Sequence, residues 1–67
     1  MEFLEKAQVR LNHWLAHNES HRAEYQKLAA ELDGAGKTAS AKQVREMVAL
    51  SERSDECLRK ALDGLAQ

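Results

Sequence analysis

The chain of 67 residues carries ten basic and eleven acidic side chains, for a net charge of −1, with one cysteine and no proline. A chain this short builds one domain at most, near the lower limit of what a single core stabilises unaided. The lone cysteine excludes a disulfide within the chain and zinc sites that need two thiolates, and the balanced charge provides no basic surface for nucleic acid.

The hydropathy pattern predicts neither a membrane span nor a secretory signal. No stretch approaches the roughly 20 apolar residues of a spanning helix, and the segment MEFLEKAQVR lacks the order of basic, apolar and small residues found in signal peptides. A lone cysteine also suits a reducing compartment. We therefore expect a cytoplasmic protein without a membrane or nucleic-acid partner.

The first predicted element is a helix from about residue 2 to 33, in a single domain of residues 1–67. Side chains suited to a core recur at alternating intervals of three and four residues, as in an amphipathic helix. Polar residues interrupt this stripe halfway along. The predicted inward stripe consists of Leu4, Ala7, Leu11, Trp14, Asn18, His21, Tyr25, Leu28 and Leu32.

The segment DGAGKTAS, residues 33–40, is the one interruption of the helical pattern. Gly34 is expected in the left-handed conformation just beyond the first helix, and Gly36 loosens the turn at residues 34–39. Ser40 and Gln43 form a candidate capping box that begins the second helix, with Thr38 as the rival cap.

The second helix is predicted from about residue 40 to 65, and its stripe is also polar in the middle. A short turn makes the two helices antiparallel, which brings the polar segments together. We expect Asn18 near Asp55, and His21 near Ser51. The predicted inward stripe of this helix consists of Ala41, Val44, Val48, Ser51, Asp55, Leu58, Leu62 and Leu65.

Helix 2 has a second apolar line on a neighbouring face, formed by Met47, Leu50, Cys57 and Ala61. One partner helix cannot cover a surface this wide. The predicted fold is therefore an all-α, antiparallel two-helix hairpin that forms a homodimer, a four-helix bundle. The alternative is that this face docks on a different protein.

The segment HWLAHNESH, residues 13–21, carries the only histidines of the chain, spaced four residues apart. Histidines at i and i+4 lie one above the other on a helix and can chelate one metal ion. Because successive members drift about 40° around the helix, His21 should point nearest the core and His13 outward. The candidate metal ligands are His13, His17, His21 and, across the hairpin, Asp55.

Further ligands could be Glu24 and Glu56 at the margin of this candidate site, or the matching histidines of a second chain. Histidines with carboxylates suit zinc, iron(II) or nickel. Two other interpretations stay open. The histidines can belong to a structural polar layer that fixes how the helices pair, or to a protonation switch beside Asp55. No nucleophile with an adjacent base and no cofactor motif is present, so we do not expect an enzyme.

The segments HWLAHNESHRAEY and VREMVALSERSDECLRKALDGL together resemble a family of small uncharacterised helical-hairpin domains that carry H-W-x-x-H-N-x-x-H. Such domains occur in bacteria and archaea, alone or appended to nickel-handling accessory proteins. The resemblance covers nearly the whole chain and implies metal handling without specifying a reaction. The motif falls here on His13, Trp14, His17, Asn18 and His21.

Overall fold

The computed structural model describes residues 2–66, and both elements in them are helices: α1, Phe3–Gly34, and α2, Thr38–Leu65. The two helices pack side by side and antiparallel. The predicted all-α hairpin is confirmed. Within residues 2–66, neither helix has a window apolar enough for a membrane span.

The turn between the helices is a Schellman motif, which satisfies the last carbonyl groups of α1. The Lys37 amide donates to the Leu32 carbonyl at 2.8 Å, and the Gly36 amide donates to the Asp33 carbonyl at 3.0 Å. Gly36 has a φ of 78°, the left-handed conformation that the motif needs. The sequence pattern predicted this conformation for Gly34, which is instead the last residue of α1.

The second helix begins two residues earlier than expected, at Thr38. Its cap residue is Lys37, and no side chain caps the first turn, so the Ser40–Gln43 box and the Thr38 cap are both wrong. The second helix begins early because the turn is short. Gly36 reverses the chain direction, so the three residues from Ala35 to Lys37 connect the two helices. In the first turn of α2, the Ala41 amide donates a hydrogen bond to the Lys37 carbonyl at 3.0 Å.

The inward stripe of α2 agrees with the prediction at every position. Val48 is buried and its neighbours on the stripe are buried or half-buried. In α1 the stripe differs by one residue at three positions, where Leu15, Arg22 and Ala29 are more buried than their predicted neighbours Trp14, His21 and Leu28, and Leu4 is exposed.

Close helix contact near the turn explains the shift toward Ala29. Ala29 is 1% exposed and Ala41 is 0% exposed, so both alanines are enclosed between the helices near the turn. A leucine in place of either would push the helices apart, because interiors are packed without spare volume. Leu28 therefore lies beside the contact and remains 47% exposed.

The hairpin is a single layer of two helices, with Cα extents of 51 × 17 × 10 Å. Its radius of gyration is 15.6 Å, whereas a compact chain of this length has about 11 Å. Only three apolar residues of the described chain are buried: Ala29, Ala41 and Val48. The structure thus presents two broad faces without a second layer on either side.

Replacing Gly36 by alanine should destabilise the hairpin by about 1 kcal/mol, because a Cβ atom disfavours the left-handed conformation. The matched control is Gly34→Ala. Both glycines have open space where a Cβ would be added, but Gly34 has ordinary helical backbone, so its replacement should be neutral or slightly stabilising. Urea unfolding followed by circular dichroism measures both, and equal effects would contradict the assignment of the turn.

Candidate functional site

Asp55 is the centre of a polar layer between the helices, formed with Asn18, Arg22 and Ser51. The Asp55 carboxylate is 2% exposed and accepts bonds on both oxygens, from Asn18 Nδ2 at 3.0 Å and from Arg22 Nη1 at 2.6 Å. Arg22 Nη1 also donates to Ser51 Oγ at 3.2 Å. Among residues 2–66, no buried side-chain nitrogen or oxygen lacks a hydrogen-bond partner.

The polar layer holds Asp55 in its ionised form. The hydrogen bond from Asn18 lowers the pKa of the Asp55 carboxyl, burial opposes this shift, and the hydrogen bond and charge of Arg22 lower the pKa further, with a smaller effect from Arg59. The net result is a pKa below the ordinary aspartate value. A buried negative charge is therefore balanced inside the hairpin by its own chain.

The layer contains Asn18, Ser51 and Asp55 as predicted. Its cation, Arg22, was not predicted from the sequence. His21 was expected beside Ser51, and Arg22 occupies that place. The available signal was the buried carboxylate itself, which needs a positive partner. Arg22 directly follows His21 of the predicted stripe and lies at the level of Ser51 and Asp55.

The three histidines form a column of rings along α1 that ends at Tyr25. His13 and His17 stack with ring centroids 5.9 Å apart, His17 and His21 meet edge to face at 4.3 Å, and His21 stacks on Tyr25 at 6.0 Å. His21 is half-buried, whereas His13 and His17 are exposed. The histidine pair, His17 and His21, is the closest contact in the column.

The two rings of the histidine pair approach through their Nε2 atoms, which are 3.0 Å apart. On the other side of the His21 ring, Nδ1 lies 3.6 Å from Glu24 Oε2. Glu24 thus lies on the side of the His21 ring that faces away from His17. The tautomers of the two rings decide which Nε2 atom donates the hydrogen bond that joins the pair.

The structure brings together only two of the four predicted metal ligands. Both Asp55 oxygens are engaged by Asn18 and Arg22, and His13 is stacked on the outer side of His17. Throughout residues 2–66, no three side chains of the His, Cys, Asp and Glu types converge on one point. Cys57 is exposed on α2, where it lines a shallow surface with Leu50, Arg53 and Lys60.

Comparison with known proteins finds one match. A family model described as a domain of unknown function, DUF8180, matches residues 7–65, which include most of α1, the turn and α2. No curated protein and no solved structure matches the chain.

Replacing Arg22 by methionine should destabilise the hairpin by about 2–3 kcal/mol, because it leaves the Asp55 charge buried without a cation. This is less than for a fully enclosed pair, since the Arg22 side chain is 16% exposed. The control is Arg53→Met on the exposed side of α2, which should change stability by less than about 0.5 kcal/mol. Urea unfolding at neutral pH compares the two, and similar losses would show that the ion pair contributes little.

The lowered pKa of Asp55 predicts a loss of stability in acid. Its contribution is fully present above about pH 4, where the carboxyl is ionised in both states, and is lost as the pH falls through the folded-state pKa. Urea midpoints between pH 7 and pH 2 should therefore fall less steeply for Asp55→Asn than for the native chain. Asp63→Asn, an exposed control, should follow the native profile. Parallel profiles for all three chains would contradict this role of Asp55.

Proposed function

The chain belongs to the DUF8180 family of domains of unknown function, and we propose that it is a small non-enzymatic module that binds a divalent transition metal ion through His17 and His21. The observation that carries the proposal is the 3.0 Å separation of the two Nε2 atoms. A metal ion replaces the proton between them.

This separation is close to that of two nitrogen ligands on one metal ion. With metal–nitrogen bonds of about 2.0–2.1 Å, adjacent ligands are about 2.9 Å apart at a right angle and about 3.3 Å apart at a tetrahedral angle. The pair at 3.0 Å falls within this interval, so the spacing of the two nitrogens suits one metal ion. Because the histidines are one turn apart on a continuous helix, their backbone is already positioned.

Glu24 supports the same interpretation. Histidine ligands usually donate their second ring nitrogen to a carboxylate or carbonyl group, which fixes the tautomer and makes the ligand more basic. The Glu24 carboxylate lies on the Nδ1 side of His21, opposite the nitrogen that faces His17. Glu24 is thus an orienting residue in the proposal, and the ligating atoms are the two Nε2 atoms.

Among residues 2–66, the histidine pair makes no hydrogen bond or ion pair to α2. If the histidines fixed the pairing of the helices, they would bond to the buried carboxylate. Asn18 and Arg22 do so instead, and they satisfy both oxygens of Asp55. We therefore omit Asp55 from the proposed ligand set and assign His13 a supporting position beside His17.

Two histidines per chain suit nickel, zinc or iron(II). Nickel and zinc are the first ions to test, nickel because of the resemblance to hairpin domains of nickel-handling proteins. The second candidate function is a metal-free oligomerisation or protein-interaction domain. It is favoured by the polar layer, which is complete without a metal ion and specifies how the two helices pair.

Titration of nickel and zinc into chelator-treated, tag-free protein tests the proposal by calorimetry. We expect dissociation constants below about 10 μM, which corresponds to a binding free energy beyond about −7 kcal/mol. His17→Ala and His21→Ala should each weaken binding at least tenfold, because one nitrogen ligand remains. His13→Ala is the matched control within the same column and should have a smaller effect.

Glu24→Gln should weaken metal binding by about tenfold, the lower end of the range for orienting carboxylates, because Glu24 is largely exposed. Glu19→Gln removes an exposed carboxylate elsewhere on α1 and should leave the affinity unchanged. Equal affinity for the native chain and the His17 and His21 variants would refute the proposed site. A folded chain without any metal affinity would leave the metal-free interaction domain as the function.

A further inference from the structure

The side of the hairpin that carries His21 exposes several large apolar side chains, and no other part of residues 2–66 covers them. Three side chains follow one another on this side of α1 at intervals of seven residues: Trp14, His21 and Leu28. Each points between about 50° and 90° away from the direction of α2. Trp14 is 46% exposed and Leu28 is 47% exposed. These residues border the helix contact without being covered by it.

Met47 extends this surface onto α2, about 65° from the direction of α1, and Leu50 forms its outer edge. Both are exposed. The opposite side of the hairpin is charged and carries the ion pair of Asp33 with Arg45. We call the surface of Trp14, Leu28, Met47 and Leu50 the apolar face, and its centre along α1 is His21.

The hairpin exposes more surface than a compact monomer of its mass. The chain exposes 5197 Å², whereas a compact monomer of 7.6 kDa exposes about 4,300 Å². The difference, about 900 Å², is close to the roughly 800 Å² that each partner buries in an interface of standard size. One further layer of two helices would cover such an area.

We propose that a second copy of the chain covers the apolar face, and that the two histidine pairs hold one metal ion between the copies. This inference rests on the metal binding proposed above. Each chain supplies two nitrogen ligands, and no further His, Cys, Asp or Glu group of residues 2–66 completes the set. Structural zinc sites are almost always four-coordinate, so a second pair makes the site complete.

The position of the histidine pair suits a two-fold axis. His17 and His21 lie on either side of the midpoint of α1, Phe3–Gly34. An axis perpendicular to the helices at this level places α1 antiparallel to the α1 of the second copy, with the helices overlapping over nearly their whole length. Each His17 then lies near His21 of the second copy, as a self-complementary interface requires.

The same axis pairs apolar with small side chains along α2. At the level of the histidine pair, Ser54 lies next to Ser54 of the second copy, so small residues occupy the axis. Four residues before it, Leu50 faces Leu58 of the second copy. Met47 faces Ala61 of the second copy in the same way. Of the two large exposed side chains of α2, Leu50 therefore meets the half-buried Leu58 and Met47 meets a small alanine.

Sedimentation equilibrium of the full chain over a range of concentrations, with chelator or with zinc, tests this inference. We expect a dimer that binds one zinc ion per two chains, with a dimer dissociation constant at least tenfold lower in zinc than in chelator. One zinc ion per monomeric chain, or a dimer with one ion per chain, would overturn the shared site but leave the proposed function standing. Absence of zinc binding would refute both.

Met47→Lys should place a charge in the interface and shift the protein to monomers, with weaker zinc binding because the second histidine pair is lost. Val9→Lys is the control, since Val9 is 62% exposed on the outer side of α1, and it should dimerise as the native chain does. Circular dichroism verifies that both variants are folded. Dimers of unchanged affinity from a folded Met47→Lys chain would overturn the assigned face.

Crosslinking tests the orientation independently of metal. Ser54→Cys in a Cys57→Ser background should form a disulfide-linked dimer on mild oxidation, because the two Cys side chains meet at the axis. Glu52→Cys in the same background is the control on the charged side. Equal crosslinking of the two variants would exclude the two-fold axis at Ser54.

Discussion

The buried charge of Asp55 is the constraint on which the hairpin depends. Apolar contacts alone would permit the two helices to slide or rotate against each other, since only three apolar residues in the described part of the chain are buried. Asp55 permits one arrangement, in which Asn18 and Arg22 reach its two oxygens at once. An isolated buried carboxylate costs several kcal/mol, so every other register is penalised.

Satisfying Asp55 also determines which side of α1 remains outside. Arg22 must point toward α2. His21 is the preceding residue, so its side chain lies about 100° around the helix from that of Arg22. Trp14 and Leu28 follow His21 because they lie seven residues before and after it. The ion pair that closes the hairpin thus directs the histidine pair and the apolar face to the same side.

Much of the fold follows from the sequence, because periodicity and an isolated glycine-containing turn are local signals. All of the inward stripe of α2 was predictable, as was the meeting of Asn18 with Asp55. The phase of α1 was not, since Trp14 and Leu15 both fit alternating intervals of three and four. The choice between them depends on Arg22 and on the close contact at Ala29, which involve the other helix.

The exchange of His21 for Arg22 in the polar layer changes what the histidines can do. A histidine inside the layer would be tied to Asp55, and metal binding would compete with the bond that holds the hairpin together. Outside it, the pair shares a hydrogen bond of its own and leaves both oxygens of Asp55 to Asn18 and Arg22. At the proposed metal site, stability and metal binding would therefore use different atoms of the same turn of α1, and we expect a metal ion to bind or leave without unfolding the hairpin.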